Sequence, residues 1–125
     1  MKLLLDTHIL LWWLDSSSKL SKKAIDLIAQ QDNLVFVSAV SVWEIRIKEA
    51  LKKIELPANF EEVLENEPFE RLSITMSHTH ALKTLPPHHT DPFDRMLVAQ
   101  AKLDDLVLVT HDEMIKGYDV SFELV

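Results

Sequence analysis

The sequence predicts a three-layer α/β/α domain around a central, mostly parallel sheet of four to five strands. Two observations lead to that class. Short unbroken apolar runs, such as Leu3-Leu4-Leu5 and Leu106-Val107-Leu108-Val109, lack the polar alternation of a half-exposed sheet. They fit strands covered on both faces. Between them lie longer stretches with helical periodicity, and strands alternating with helices at this spacing build parallel sheets. The whole of residues 1–125 is expected to form one domain, a length sufficient for an ordinary hydrophobic core.

Each expected element has a local reason. Leu3 to Leu5 form the first strand, which stops at Asp6. Residues 9–14 follow as a short helix and Asp15-Ser16-Ser17-Ser18 as a loop. Leu20-Ser21 open a helix to about 31, with Ala24, Leu27 and Ile28 at helical spacing. After the Asp32-Asn33 turn, residues 34–37 are a second buried strand. A helix is expected over 42–53, with Trp43, Ile47, Ala50, Leu51 and Ile54 as its apolar face. Pro57 closes that helix, and residues 60–64 suggest another before Pro68. Residues 71–74 are expected as a strand, and 77–85 as a helix stopped by Pro86-Pro87. Thr90-Asp91-Pro92 opens the next helix, which runs to Leu103 with Phe93, Leu97 and Ala101 inward. Residues 106–109 form the fourth strand, and 120–122 an added edge strand after Gly117.

Composition narrows the function. The apolar fraction of 47% and charged fraction of 26% are those of a globular protein. The absence of cysteine excludes disulfides and thiolate metal sites. No apolar run reaches the roughly 18 residues that span a bilayer. Asp6 interrupts the first apolar stretch, so a signal-peptide arrangement is lacking and a cytoplasmic location is expected. A single glycine excludes a glycine-rich phosphate loop. The net charge of −7 argues against a basic nucleic-acid footprint unless a cation neutralises clustered acids, or the partner is a basic protein.

The acids carry the chemistry. Asp6, Glu44, Asp94 and Asp112 each fall near the start of a helix expected to enter from one edge of the sheet. Each also has a structural explanation. Ser41-Val42-Trp43-Glu44 matches a capping box, Asp91-Pro92-Phe93-Asp94 an acidic helix start, and Thr110-His111-Asp112-Glu113 another cap. Four carboxylates brought to one edge repel unless neutralised, which a hard divalent cation does. Oxygen-only ligands suit magnesium or manganese. Such a site activates water and offsets charge on a phosphate diester.

Leu-Leu-Leu-Asp-Thr-His at 3–8, Ser-Val-Trp-Glu-Ile at 41–45, His-Thr-Asp-Pro-Phe-Asp-Arg at 89–95 and Val-Thr-His-Asp at 109–112 occur in a telling order. Together with Ala99-Gln100-Ala101, this set resembles the PIN-domain ribonucleases, specifically the VapC-type toxins of bacterial toxin–antitoxin pairs. The resemblance spans essentially the whole chain. It implies an endoribonuclease dependent on Mg2+ or Mn2+, commonly a homodimer, leaving a 3′-hydroxyl and a 5′-phosphate. Asp6, Glu44 and Asp94 match the family's core acids, and Asp112 its more variable fourth. A cognate antitoxin is implied as well, wrapping the toxin and pushing a basic side chain into the acidic site.

Neighbouring residues have open roles. Thr7 and Thr110 are expected either to hydrogen-bond the carboxylates or to cap helices. Asp91 is expected as a cap, and Arg95 as its ion-pair partner or a phosphate contact. His8, His89 and His111 match no helical zinc spacing and are assigned solvated or hydrogen-bonding roles. Trp12, Trp13 and Trp43 are expected in the core or a dimer interface. Lys48, Lys52 and Lys53 are either an RNA-guiding strip or a solvated face. Two rival enzymes fail on residues. A haloacid-dehalogenase-type phosphatase wants an aspartate where His8 stands, and a receiver domain wants one where the second strand ends in Val37-Ser38-Ala39. The remaining rival is a non-catalytic PIN-like module that binds RNA or a protein.

Overall fold

The computed structural model describes residues 1–125. In chain order it contains β1 (Lys2–Leu5), α1 (Thr7–Leu14), α2 (Lys22–Ala29), β2 (Leu34–Ser38), α3 (Ala39–Ala50) and α4 (Phe60–Glu65). There follow β3 (Glu70–Leu72), α5 (Met76–Ala81), a 3-10 turn (Leu82–Thr84), α6 (Pro92–Leu103), β4 (Val107–Thr110), a second 3-10 turn (Glu113–Gly117) and β5 (Phe122–Leu124). All neighbouring strands pair in parallel, in the order β3-β2-β1-β4-β5.

The first strand is the axis of this arrangement. Leu3, Leu4 and Leu5 are completely buried. Because side chains alternate along a strand, Leu3 and Leu5 enter one core with Ile9, Leu10, Ile28 and Ile45. Leu4 enters the other, with Leu97, Val98, Leu108 and Ile115. A strand buried on both faces has no room for polar alternation, which is why its sequence has none. No helix is long and apolar enough to cross a membrane.

The topology sets the site. From β1 the chain moves outward through β2 to β3, then returns to the other side of β1 to lay down β4 and β5. The strand order reverses between β1 and β4, and the crevice outside the carboxyl ends of strands at such a reversal is where open α/β sheets bind ligands. Asp6 follows β1 there, and Asp112 follows β4.

Several expectations need correcting. The helix expected over 42–53 starts at Ala39, because Ser38 ends β2 and caps α3 directly, accepting from the Val40 N–H at 3.1 Å. Ser41 therefore lies inside the helix, and the expected Ser41–Glu44 capping box does not exist. Its hydroxyl instead accepts from Thr7 Oγ1 at 3.1 Å, across to α1. The buried face of α3 also differs: it carries Val40, Ser41, Glu44 and Ile45, whereas Trp43 is 57% and Leu51 59% exposed. The edge strand begins at Phe122 rather than 120, and β3 ends at Leu72, so Ser73 is free to accept from Gln100.

Candidate active site

Asp6 takes its position from the sheet. Its N–H continues the ladder by donating to Val109 O at 3.0 Å. One carboxylate oxygen accepts from the Ile9 N–H at 3.0 Å, capping α1, and the other accepts from Thr110 Oγ1 at 2.5 Å. Thr110 lies beside Asp6 because Leu5 pairs with Val109 one step earlier. Of the roles left open for it, Thr110 thus fills the hydrogen-bonding one, and its hydroxyl also accepts from the Asp112 N–H at 3.1 Å. Asp112 in turn accepts from the Met114 N–H at 2.9 Å.

Asp94 comes from the first turn of α6. Asp91 caps that helix through the Phe93 and Asp94 N–H groups at 2.8 and 3.1 Å, with Pro92 at the first helical position, so its expected role holds. Arg95 does not pair with Asp91 as expected. Its guanidinium donates to the carbonyls of Pro86, Leu82 and Leu85, fixing the loop that leads into α6.

Asp6, Asp94 and Asp112 line one small cavity of about 20 Å3, together with His89 and Thr110. That is room for about one water-sized particle. Glu44 approaches from α3 and does not line this cavity, although its charge acts on Asp94. It is buried, with Oε2 paired to Lys48 at 3.0 Å and Oε1 without any hydrogen-bond partner. Lys48 is thus not merely solvated, because it pairs with Glu44.

Burial and like charge shape the acidities. Burial pushes Asp94 up to about 6, with Asp91, Glu44 and Asp6 adding to the rise against the opposing His89. Burial also raises Asp6, outweighing the hydrogen bonds from Thr110 and the Ile9 N–H. At Asp112 burial is overcome by the hydrogen bonds from His89 and the Met114 N–H, and its carboxyl lies below the usual value. Three carboxylates around space for one small particle, with the buried, half-partnered Glu44 acting on one of them, fit a hard divalent cation.

The PIN domain family model matches residues 3–120. The chain belongs to the PIN-domain family. This PIN domain is 30% identical to Ribonuclease VapC22 of Mycobacterium tuberculosis over 118 residues, spanning 92% of the chain and 90% of that relative. Its fold is also that of VapBC2 from Rickettsia felis bound to a promoter DNA fragment, with a TM-score of 0.75 at 16% identity over 99% of this chain and 98% of the other. DNA-bound VapBC from Salmonella typhimurium superposes with a TM-score of 0.72 at 16% identity, covering 98% and 97% of the two chains.

Within this PIN domain the structure brings Asp6, Asp94 and Asp112 together and sets Glu44 beside Asp94. Sequence reasoning missed Tyr118, the only tyrosine. Its hydroxyl accepts from the His89 N–H at 2.9 Å and lies 2.9 Å from His89 Nδ1, while His89 Nε2 lies 2.6 Å from Asp112 Oδ2. Nothing in the local sequence of Tyr118 signals this, because the contact joins residues 29 positions apart. A much larger concavity, about 640 Å3, lies elsewhere, between α3, α4 and β3 with Trp43 at its wall. It has no converging set of ligands, and the acid cluster is the better candidate for chemistry.

Proposed function

We propose that this PIN domain is an endoribonuclease dependent on Mg2+ or Mn2+, acting in the cytoplasm as the toxin of a toxin–antitoxin pair. The observation that carries this reading is the convergence of Asp6, Asp94 and Asp112 on one small cavity, with the orphaned oxygen of Glu44 alongside. The 30% identity to a ribonuclease supplies the substrate class. The structural likeness to VapBC complexes, together with the net charge of −7, supports an antitoxin that presents basic side chains to the acids. Exposed Trp43 beside the large groove offers apolar surface to such a partner or to a second copy in a homodimer.

Asp6, Glu44, Asp94 and Asp112 would hold the ion. When bound, it lowers the pKa of a water and offsets charge on the phosphodiester. The protein's part is positional. Thr110 and the Ile9 N–H hold Asp6 against rotation, and the capped start of α6 aims Asp94. Lys48 fixes one oxygen of Glu44 and leaves the other available.

The test is cleavage of a mixed structured RNA with magnesium, with manganese and with chelator, beside Asp94→Asn. Cleavage should need metal and fall at least about 100-fold in the variant, the loss expected when several kcal/mol of charge stabilisation disappear. Undiminished cleavage by folded Asp94→Asn would reject Asp94 as a ligand. Absence of cleavage by folded, partner-free protein under every condition would favour a non-catalytic binding module.

A further inference from the structure

We propose that His89 is a metal ligand through Nε2, forming with Asp94 and Asp112 a mixed nitrogen–oxygen position that favours a transition-metal ion such as Mn2+ over Mg2+. The inference rests on the acids being a cation site and goes beyond it by adding a nitrogen donor.

The geometry is that of a ligand set. One donor atom from each of His89, Asp94 and Asp112 lies within 4.8 Å of the other two. His89 is 8% exposed, so its ring faces the protein, and it lines the small cavity beside both aspartates. Nε2 points at Asp112 Oδ2 across 2.6 Å. A cation entering between them would be held by both atoms. Glu44, whose charge acts on Asp94, leaves its buried Oε1 without a hydrogen-bond partner, a separate sign of unmet cation demand.

The far side of the ring is built for this role. A histidine that binds a metal through one nitrogen needs a partner for the N–H on the other. Nδ1 has Tyr118 Oη at 2.9 Å, and that oxygen is pinned by the His89 backbone N–H at the same distance. The two rings lie nearly parallel, 7° apart and stacked with centroids 5.5 Å apart. A phenol oxygen both donates and accepts. It therefore serves the imidazole with the proton on Nε2 facing Asp112, and equally with the proton on Nδ1 and the Nε2 lone pair facing a cation. An imidazole donor suits first-row transition ions, whereas magnesium holds to oxygen. A purely structural His89 would only orient Asp112.

Electron spin-echo envelope modulation of Mn2+ bound to the full chain separates these roles. Nitrogen-14 modulation should appear in the wild type, persist in His8→Gln and vanish in His89→Gln. His8 is the necessary control, being the exposed histidine whose charge acts on both Asp6 and Asp112. His89→Gln should also weaken Mn2+ binding about tenfold and Mg2+ binding less than about twofold. Tyr118→Phe keeps the ring and removes its anchor. It should retain the modulation while weakening Mn2+ about tenfold, a check that stands if His89→Gln does not fold. Bound manganese without nitrogen modulation, or modulation lost in His8→Gln, would overturn the assignment of His89 and leave the carboxylate site standing. Failure to bind manganese at all would overturn both.

Discussion

Helices α3 and α6 each contribute one acid to the cluster, but they hold it by different means. α6 is buried along Met96, Leu97, Val98, Ala99, Gln100 and Ala101, on every side of the helix. Asp94 stands at its start, placed by the docking of the whole rod. α3 buries only Val40, Ser41, Glu44 and Ile45 and turns Trp43 to the surface, and its C-cap Leu51 is exposed as well. Glu44 is therefore fixed locally, by burial and by Lys48 one turn on. The cluster joins an acid set by global packing to one set by a local ion pair.

The sharpest way to break that contrast is to truncate one side chain on each helix. Leu97→Ala in α6 should cost about 2–5 kcal/mol, as a buried leucine does. Trp43→Ala in α3 should cost under about 1 kcal/mol, because an exposed side chain carries little of the core. Urea unfolding measures both, and equal losses would show that α3 is as deeply anchored as α6.

The caps give the next comparison. Ser38 is fully buried, accepts from the Val40 N–H and donates to Gln100 Oε1 at 2.6 Å, tying the start of α3 to α6. Ser38→Ala should cost about 2–4 kcal/mol, a lost cap plus a buried amide left short of a partner. Asp91→Ala, at an exposed cap, should cost about 1 kcal/mol. Reversal of that order in chemical denaturation would mean that the Ser38–Gln100 link does not join the helices energetically.

A smaller effect concerns Asp94 itself. Its carboxyl titrates near 6 in the folded chain against an ordinary value of 3.8. Between those values the folded chain keeps a proton that the unfolded chain has lost, so stability falls as pH rises through the window. Asn cannot ionise. Without metal, the melting temperature of Asp94→Asn relative to wild type should therefore rise between about pH 4 and pH 7, by a few degrees. A difference that stays flat with pH would mean that Asp94 is not held in an unfavourable, cation-seeking environment.

The contrast between the helices also explains what the sequence made legible. β1 and β4 were readable because burial on both faces leaves an unmistakable apolar run, and α6 because Asp91-Pro92 marks its start. The three aspartates follow directly from those elements. α3 was misplaced because its cap is the last residue of a strand, with no intervening loop to betray the boundary. Its buried face was misread because it holds Ser41 and Glu44, polar groups that face α1 and the acids rather than solvent, while Trp43 packs edge-on against Phe93 with centroids 5.0 Å apart. Hydrophobic periodicity fails where a helix turns its polar residues toward a site. The Tyr118–His89–Asp112 chain was hidden for another reason: it depends on how the second 3-10 turn folds back beside the loop before α6.

The measurement closest to the central claim is calorimetric titration of Mn2+ into chelator-stripped protein at neutral pH, beside Asp94→Asn. The wild type should bind the ion with measurable heat and gain thermal stability on loading, and the variant should lose most of both. A folded wild type that takes up neither manganese nor magnesium would contradict the reading of these four acids as a cation site.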